Sequence, residues 1–163
     1  MINQLNIESL NATAFAKFGQ VIEIGDNDPI LINDGNTKRY DALADLQFGD
    51  GKASLSIFRS TPLAWPIVLR KMECHDLGTQ AFIPLNNRPF LVVVAPKGKF
   101  EPTGIRVFLA QANQGVNFAA GTWHHFSLAL DEVSDFLVID RQGKSVDCRE
   151  IALDPPLQLG ELP

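Results

Sequence analysis

Cysteine is scarce in this chain of 163 residues: Cys74 and Cys148 are the only two, and they do not form a close-spaced pair. That excludes a disulfide framework and a cysteine-built zinc site, and both residues are read as reduced thiols of a cytoplasmic protein. A basic surplus is missing as well. The formal net charge of −5 leaves no electrostatic footprint for nucleic acid or an anionic membrane, and favours a small-molecule partner. Long apolar runs are absent; the longest, Phe90 to Ala95, is far too short to span a bilayer. The opening residues Met1 to Asn6 lack the basic-then-apolar pattern of a secretory signal. With 45% apolar and 20% charged residues, the chain has an ordinary globular balance, and its length predicts one domain over residues 1–153. The tail, residues 154–163, carries three prolines and no strand or helix period, which predicts an extended or frayed segment.

Helical periodicity is also in short supply. Only Ser9 to Gly19 shows it, with Leu10, Ala14, Phe15 and Phe18 at three- and four-residue spacings. Asn11 or Thr13 is available there as N-cap, and Gly19 as C-terminal stop. The rest of the chain is rich in short strand patterns. Gln20 to Ile24, Ala53 to Thr61, Ile67 to His75, Thr79 to Leu85, Pro89 to Ala95, Ile105 to Ala110, Val116 to Ala119, Phe126 to Leu130 and Ser134 to Arg141 are divided by Gly, Pro, Asn and Asp. The Phe-Leu-Val-Val-Val run at Phe90 predicts a strand buried on both faces. In Ala53 to Thr61, the two-residue period puts Leu55, Ile57 and Arg59 on one face, read as buried. Strands without intervening helices point to a mainly β protein, a β-sandwich or jelly-roll barrel with a short N-terminal helix, whose mouth can hold a ligand.

Two polar clusters break the apolar texture: Glu73-Cys74-His75 with Gln80 beyond a glycine turn, and Gly121-Thr122-Trp123-His124-His125. Their spacing resembles the ligand pattern of cupin barrels. In that pattern a metal sits on two histidines one residue apart, a following glutamate, and a histidine from a later Pro-x-Gly-x-x-His motif. Here Glu73 falls at the first histidine, His75 at the second, Gln80 at the glutamate and His124 at the last ligand, while Ala119 replaces the proline and Gly121 is kept. A divalent metal on His75, His124, Gln80 and Glu73 is therefore allowed but not required, because an amide is a weaker ligand than a carboxylate. Without metal, the same groups offer imidazoles that titrate near neutrality, an amide and a carboxylate. His125 follows His124 directly and is expected on the opposite strand face.

A wider set of segments is more specific. Phe15 to Glu23, Ile32 to Tyr40, Ser56 to Arg59, Cys74 to Leu85, Phe90 to Ala95, Gln114 to Phe118, Gly121 to His125 and Ser134 to Arg141, in that order over roughly residues 12 to 141, resemble the ureidoglycolate lyases. Phe126 departs from the proline that commonly follows the paired histidines, and the tail after Asp154 has no counterpart. The resemblance implies a cupin-like jelly-roll barrel and a homodimer. It also implies cleavage of (S)-ureidoglycolate to glyoxylate and urea in allantoin and purine catabolism. On that reading His75 and His124 serve as the acid/base pair or as metal ligands, with Gln80 and Glu73 beside them. Arg59 or Arg39 binds the substrate carboxylate, and Asn33, Thr37 and Trp123 contribute to the pocket, with Gly35 in the same polar loop as Asn33. Asp140 and Arg141 are read as structural. Two other readings of the residues are a metal-dependent cupin isomerase or oxygenase acting on a small polar acid, and a non-catalytic binding module.

Overall fold

The structure is a computed structural model that describes residues 4–163. In chain order its elements are β1 (Gln4–Leu5), β2 (Ile7–Ser9), α1 (Ala12–Phe15), β3 (Gly19–Ile22), β4 (Ile30–Ile32), β5 (Thr37–Arg39), β6 (Lys52–Ser60), β7 (Val68–Cys74) and β8 (Gln80–Pro84). Then come β9 (Phe90–Ala95), a short 3-10 turn at Pro102–Gly104, β10 (Arg106–Ala110), β11 (Gly115–Phe118), β12 (Trp123–His124), β13 (Leu128–Ala129), β14 (Ser134–Gln142) and β15 (Arg149–Leu159). The protein is mainly β, a cupin-like jelly-roll barrel with a short N-terminal helix. The large sheet runs β1-β15-β7-β12-β9-β10-β2, with β13 also on β9; the smaller runs β3-β11-β8-β14-β6. Among the described residues no helix is long and apolar enough to cross a membrane.

β9 shows why the chain folds this way. Every one of its residues is buried, and the two-residue period sends them alternately into two different cores. Phe90, Val92 and Val94 face an aromatic core between the sheets, with Phe15, Phe18, Phe82, Phe108, Phe118 and Phe136. Leu91, Val93 and Ala95 face a second core with Leu69, Met72, Trp123, Leu157 and Leu159, around which the large sheet curves. The first core is joined by edge-to-face contacts, for example Phe15 on Phe108 at 5.7 Å and Phe90 on Phe136 at 5.0 Å between ring centroids.

Helix α1 is shorter than its periodicity predicts, although Asn11 does cap it by accepting from the Ala14 amide at 2.9 Å. Gly19 is not its stop. It begins β3, where an added Cβ would collide with the carbonyl oxygen of Asn117 across the β3–β11 pair. The segment 154–163 also differs from expectation. Strand β15 continues through Leu159, pairing antiparallel with β7 and parallel with β1. Its register shifts between Ala152 and Leu157 because Pro155 and Pro156 have no N–H for the ladder. Those prolines hide the strand period from a sequence reading, while Leu157 and Leu159 beyond them are core residues.

The face assigned to β6 is reversed. Leu55 and Ile57 are 70% and 56% exposed, whereas Phe58 from the other face meets Phe82 edge-on at 5.7 Å. The inward alternation of this edge strand carries Ser54, Ser56, Phe58 and Ser60, so its more apolar face is the exposed one and hydrophobicity points the wrong way.

If β15 belongs to the core, truncating Leu159 costs what a buried leucine costs. Leu159→Ala is expected to lower the unfolding free energy by about 2–5 kcal/mol, whereas Leu162→Ala, at a residue 40% exposed, changes it by less than about 0.5 kcal/mol. Urea titration of both variants checks this; equal midpoints would contradict the packing.

Candidate active site

The antiparallel pairing of β7 with β12 sets Glu73 beside His124 and Cys74 beside Trp123. Because alternate residues face opposite sides, Cys74 and Trp123 enter the second core while Glu73 and His124 turn to the other face of the large sheet. The chain then leaves β7 at His75, whose carbonyl accepts from the Gly121 amide at 2.7 Å. Gly121 has φ +85, a conformation that favours glycine, so this turn fixes the second histidine segment against the first.

His75, Gln80 and His124 line one narrow gap, too tight to hold a water molecule, together with Gly78, Phe118, Ala119 and Thr122. The imidazole centroids of His75 and His124 are 5.1 Å apart. Each ring is held through Nδ1: His75 donates to the carbonyl of Asp147, and His124 donates to that of His125 at 3.2 Å. A carbonyl only accepts, so Nδ1 carries the proton and Nε2 presents a lone pair. Both Nε2 atoms are buried without a partner, and so is Oε1 of Gln80. The Gln80 amide is oriented from behind, donating from Nε2 to Asp140 at 3.2 Å. Buried acceptors are normally satisfied. Here three of them line the same gap, where a donor or a cation would satisfy them.

Glu73 approaches His124 from its Nδ1 side at 3.7 Å. Burial raises the Glu73 pKa, a shift opposed by His75 and Lys71. Burial, reinforced by neighbouring His75, lowers His124 to about 3, and burial lowers His125 to about 4. His124 is therefore a neutral imidazole at physiological pH. Phe118 stacks flat on it, 4.4 Å between centroids and 4° between planes.

Glu73, His75 and His124 bring one ligand atom each within 4.8 Å of one another. Two imidazoles whose outer nitrogens are hydrogen-bonded to carbonyls, plus a carboxylate, fit a divalent cation, and Gln80 supplies an oxygen nearby. Cys148 and Glu150 form a second such group with Glu73 on the exposed side, where Glu150 is already held by Lys71 at 2.8 Å.

Beside this gap lies a pocket of about 250 Å³ opening to solvent, walled by His75, Thr79, Asp140, Arg141, Ser145 and Cys148 among others. His75 is thus common to the interior and the mouth. The remaining residues singled out from the sequence lie elsewhere. Arg59 sits on the exposed face of β6, its Nε and Nη2 each donating to a carboxylate oxygen of Asp135 at 2.8 Å. Asn33, Thr37 and Arg39 belong to a separate β4–β5 hairpin, where Asn33 donates to the Thr37 hydroxyl at 3.2 Å and Arg39 pairs with Asp41 at 3.2 Å. Trp123 is a core residue donating from Nε1 to the Gly98 carbonyl at 3.0 Å. His125 lines an apolar cleft on the other side of Phe118.

Two residues gain weight that spacing did not suggest. Asp147 orients His75 through its carbonyl and accepts from the amides of Asp76 and Leu77 at 2.7 and 2.9 Å, and Asp140 orients Gln80. Asp147 lies in a turn with no motif to mark it. Asp140 could have been found from the strand alternation that places it opposite Gln80.

A mainly β barrel holding a buried imidazole, a half-buried one and an oriented amide has the build of a cupin-like protein. The sequence model of one family, Ureidoglycolate lyase, matches residues 2–160. The ureidoglycolate lyase of Azotobacter vinelandii is 48% identical over 149 residues, covering 90% of each chain. That of Pseudomonas syringae pv. syringae is 43% identical over 169 residues, covering 96% of this chain and 99% of the relative. That of Brucella anthropi is 47% identical over 151 residues, covering 91% and 89%. The chain belongs to the ureidoglycolate lyase family.

The depressed histidines make a pH prediction. An unfolded chain takes up protons at these positions below about pH 6.5, whereas the folded chain does so only near pH 3 to 4. Stability is therefore complete above the unfolded pKa and is lost as the pH falls. For His124 alone the loss is about 3 kcal/mol by pH 4. Urea titrations of metal-stripped protein at pH 7 and pH 4.5 should show that fall, and His124→Gln should show less of it; identical slopes with pH would remove the argument.

Proposed function

We infer that this protein is a ureidoglycolate lyase that cleaves (S)-ureidoglycolate to glyoxylate and urea, in allantoin and purine catabolism. The observation that carries the site assignment is the set of three unpartnered, buried acceptors, Nε2 of His75, Nε2 of His124 and Oε1 of Gln80, converging in one space. The substrate carbon bears a hydroxyl, a carboxylate and the ureido nitrogen. Removing the hydroxyl proton lets the C–O bond become a carbonyl as the C–N bond breaks, and the departing nitrogen takes a proton to give urea; no water is consumed.

His75 borders both the narrow gap and the solvent-facing pocket, so it is the imidazole able to exchange a proton with water and we assign it the proton transfer. His124, kept neutral by burial, accepts a hydrogen bond from the hydroxyl and holds its orientation. Gln80 presents Oε1 to a ureido N–H. Asp147 and Asp140 keep His75 and Gln80 aimed. Glu73, His75 and His124 would hold a divalent ion, with Gln80 at its side, and when bound such an ion acidifies the substrate hydroxyl.

Following urea, glyoxylate and ammonia from fresh (S)-ureidoglycolate, with and without chelator, tests this reading. Urea without ammonia is expected, and ammonia in place of urea would overturn it. His75→Ala and His124→Ala should each lower turnover by about 10²- to 10⁴-fold with an unchanged circular dichroism spectrum.

We also propose a homodimer in the cytoplasm. The exposed face of the small sheet supports the dimer: Leu55 and Ile57 stand exposed on edge strand β6, beside Ile139 and Leu137 of β14, an apolar patch of the kind that marks interfaces. Sedimentation should give a dimer, and Leu55→Glu with Ile57→Lys should give a monomer; a monomeric wild type would reject the assignment.

A further inference from the structure

We propose that Arg141 binds the carboxylate of the substrate, and so makes an α-carboxylate a requirement for turnover; this rests on the lyase reading above. A substrate that must expel a neutral urea from a carbon bearing a carboxylate needs that charge held, and a guanidinium fork does so with direction as well as attraction.

Arg141 shares the wall of the 250 Å³ pocket with His75. The other arginines considered above are committed elsewhere: Arg59 to Asp135 and Arg39 to Asp41. Arg149 lies close by in sequence to the pocket wall, but both its Nε and Nη2 are bound to Asp76, at 2.5 and 2.9 Å. Arg106 is bound to Glu8 and to the carbonyl of Ala14, and Arg88 to Glu132 at 3.2 Å.

The Arg141 side chain is only 3% exposed, yet its one carboxylate partner, Asp50, is 85% exposed and bonded to a single nitrogen, Nη2, at 2.5 Å. Its remaining contacts are long, Nη1 to the Ser145 carbonyl at 3.4 Å and Nη2 to the Ser145 hydroxyl at 3.5 Å. Nε is buried with no partner. A buried guanidinium with Nε unfilled and an ion pair facing water is poorly satisfied by the protein alone.

The surroundings are cleared for this side chain. A Cβ on Gly51 would stand 2.8 Å from Cγ of Arg141, one on Gly78 2.9 Å from its Cβ, and one on Gly143 2.5 Å from Cζ. Three backbone segments thus approach the arginine where only glycine allows it, and hold the stem in place. The end of β14 completes the arrangement: Asp140, which aims Gln80, and Arg141, the next residue, both line the pocket that His75 borders.

The test is steady-state kinetics with glyoxylate, the carboxylate product, as the competitive probe. In Arg141→Ala, KM for ureidoglycolate and Ki for glyoxylate should both rise about tenfold or more, and added guanidinium ion should restore part of the loss. Arg141→Lys, which keeps the charge and lets the stem pack, should fold and show an intermediate rise in both constants. Wild-type constants in a folded Arg141→Lys, together with no guanidinium rescue of Arg141→Ala, would overturn the proposal while leaving the lyase reading intact. A wild-type protein that releases no urea would instead remove the reading beneath it.

Discussion

The double burial of β9 is the constraint on which the rest of the barrel depends. A strand with side chains packed on both faces has no solvent side, so its neighbours must supply two cores at once, and every pairing partner inherits the same division. β12 inherits it most visibly. Paired on one side with β7 and on the other with β9, it places Trp123 in one core and His124 on the opposite face. The histidine proposed for the site is adjacent in sequence to an anchor residue and separated from it in space by a sheet.

That division gives the site a dry floor and a wet rim. His124 and Gln80 lie in the floor, where burial keeps the imidazole neutral and leaves acceptors without partners. The rim is polar, with Asp140, Arg141, Ser145 and Asp147 on the segment that leaves the small sheet. Polar groups set behind the reacting ones fix their tautomers and aim. The Ureidoglycolate lyase family to which the chain belongs acts on a compact, highly polar acid. A small site with several converging hydrogen-bonding groups suits such a molecule better than a broad apolar cleft.

Much of this was legible in the sequence, for identifiable reasons. β9 could be read because six consecutive apolar residues admit little else, and the barrel class followed from strand patterns with almost no helical period. His75, Gln80 and His124 could be placed together from spacing, because strand register turns spacing into geometry. β15 was hidden by Pro155 and Pro156, which interrupt the period at the register shift itself. The faces of β6 misled because its more apolar one, with Leu55 and Ile57, is the exposed one. Arg39 and Arg59 were credible carboxylate ligands by residue type, but nothing local to Arg59 announces that Asp135, 76 residues away, already occupies its fork. Asp147 lies in a turn, and turns carry no periodicity from which to read a direction.

The flat contact between Phe118 and His124 has a thermodynamic side. An imidazole free to rotate about its side-chain bonds loses that freedom when something binds to it, and the loss weakens binding. Here the phenyl face blocks rotation on one side and the Nδ1 hydrogen bond fixes the ring plane. The entropy was surrendered when the barrel folded, so a ligand arriving at Nε2 meets a ring already still.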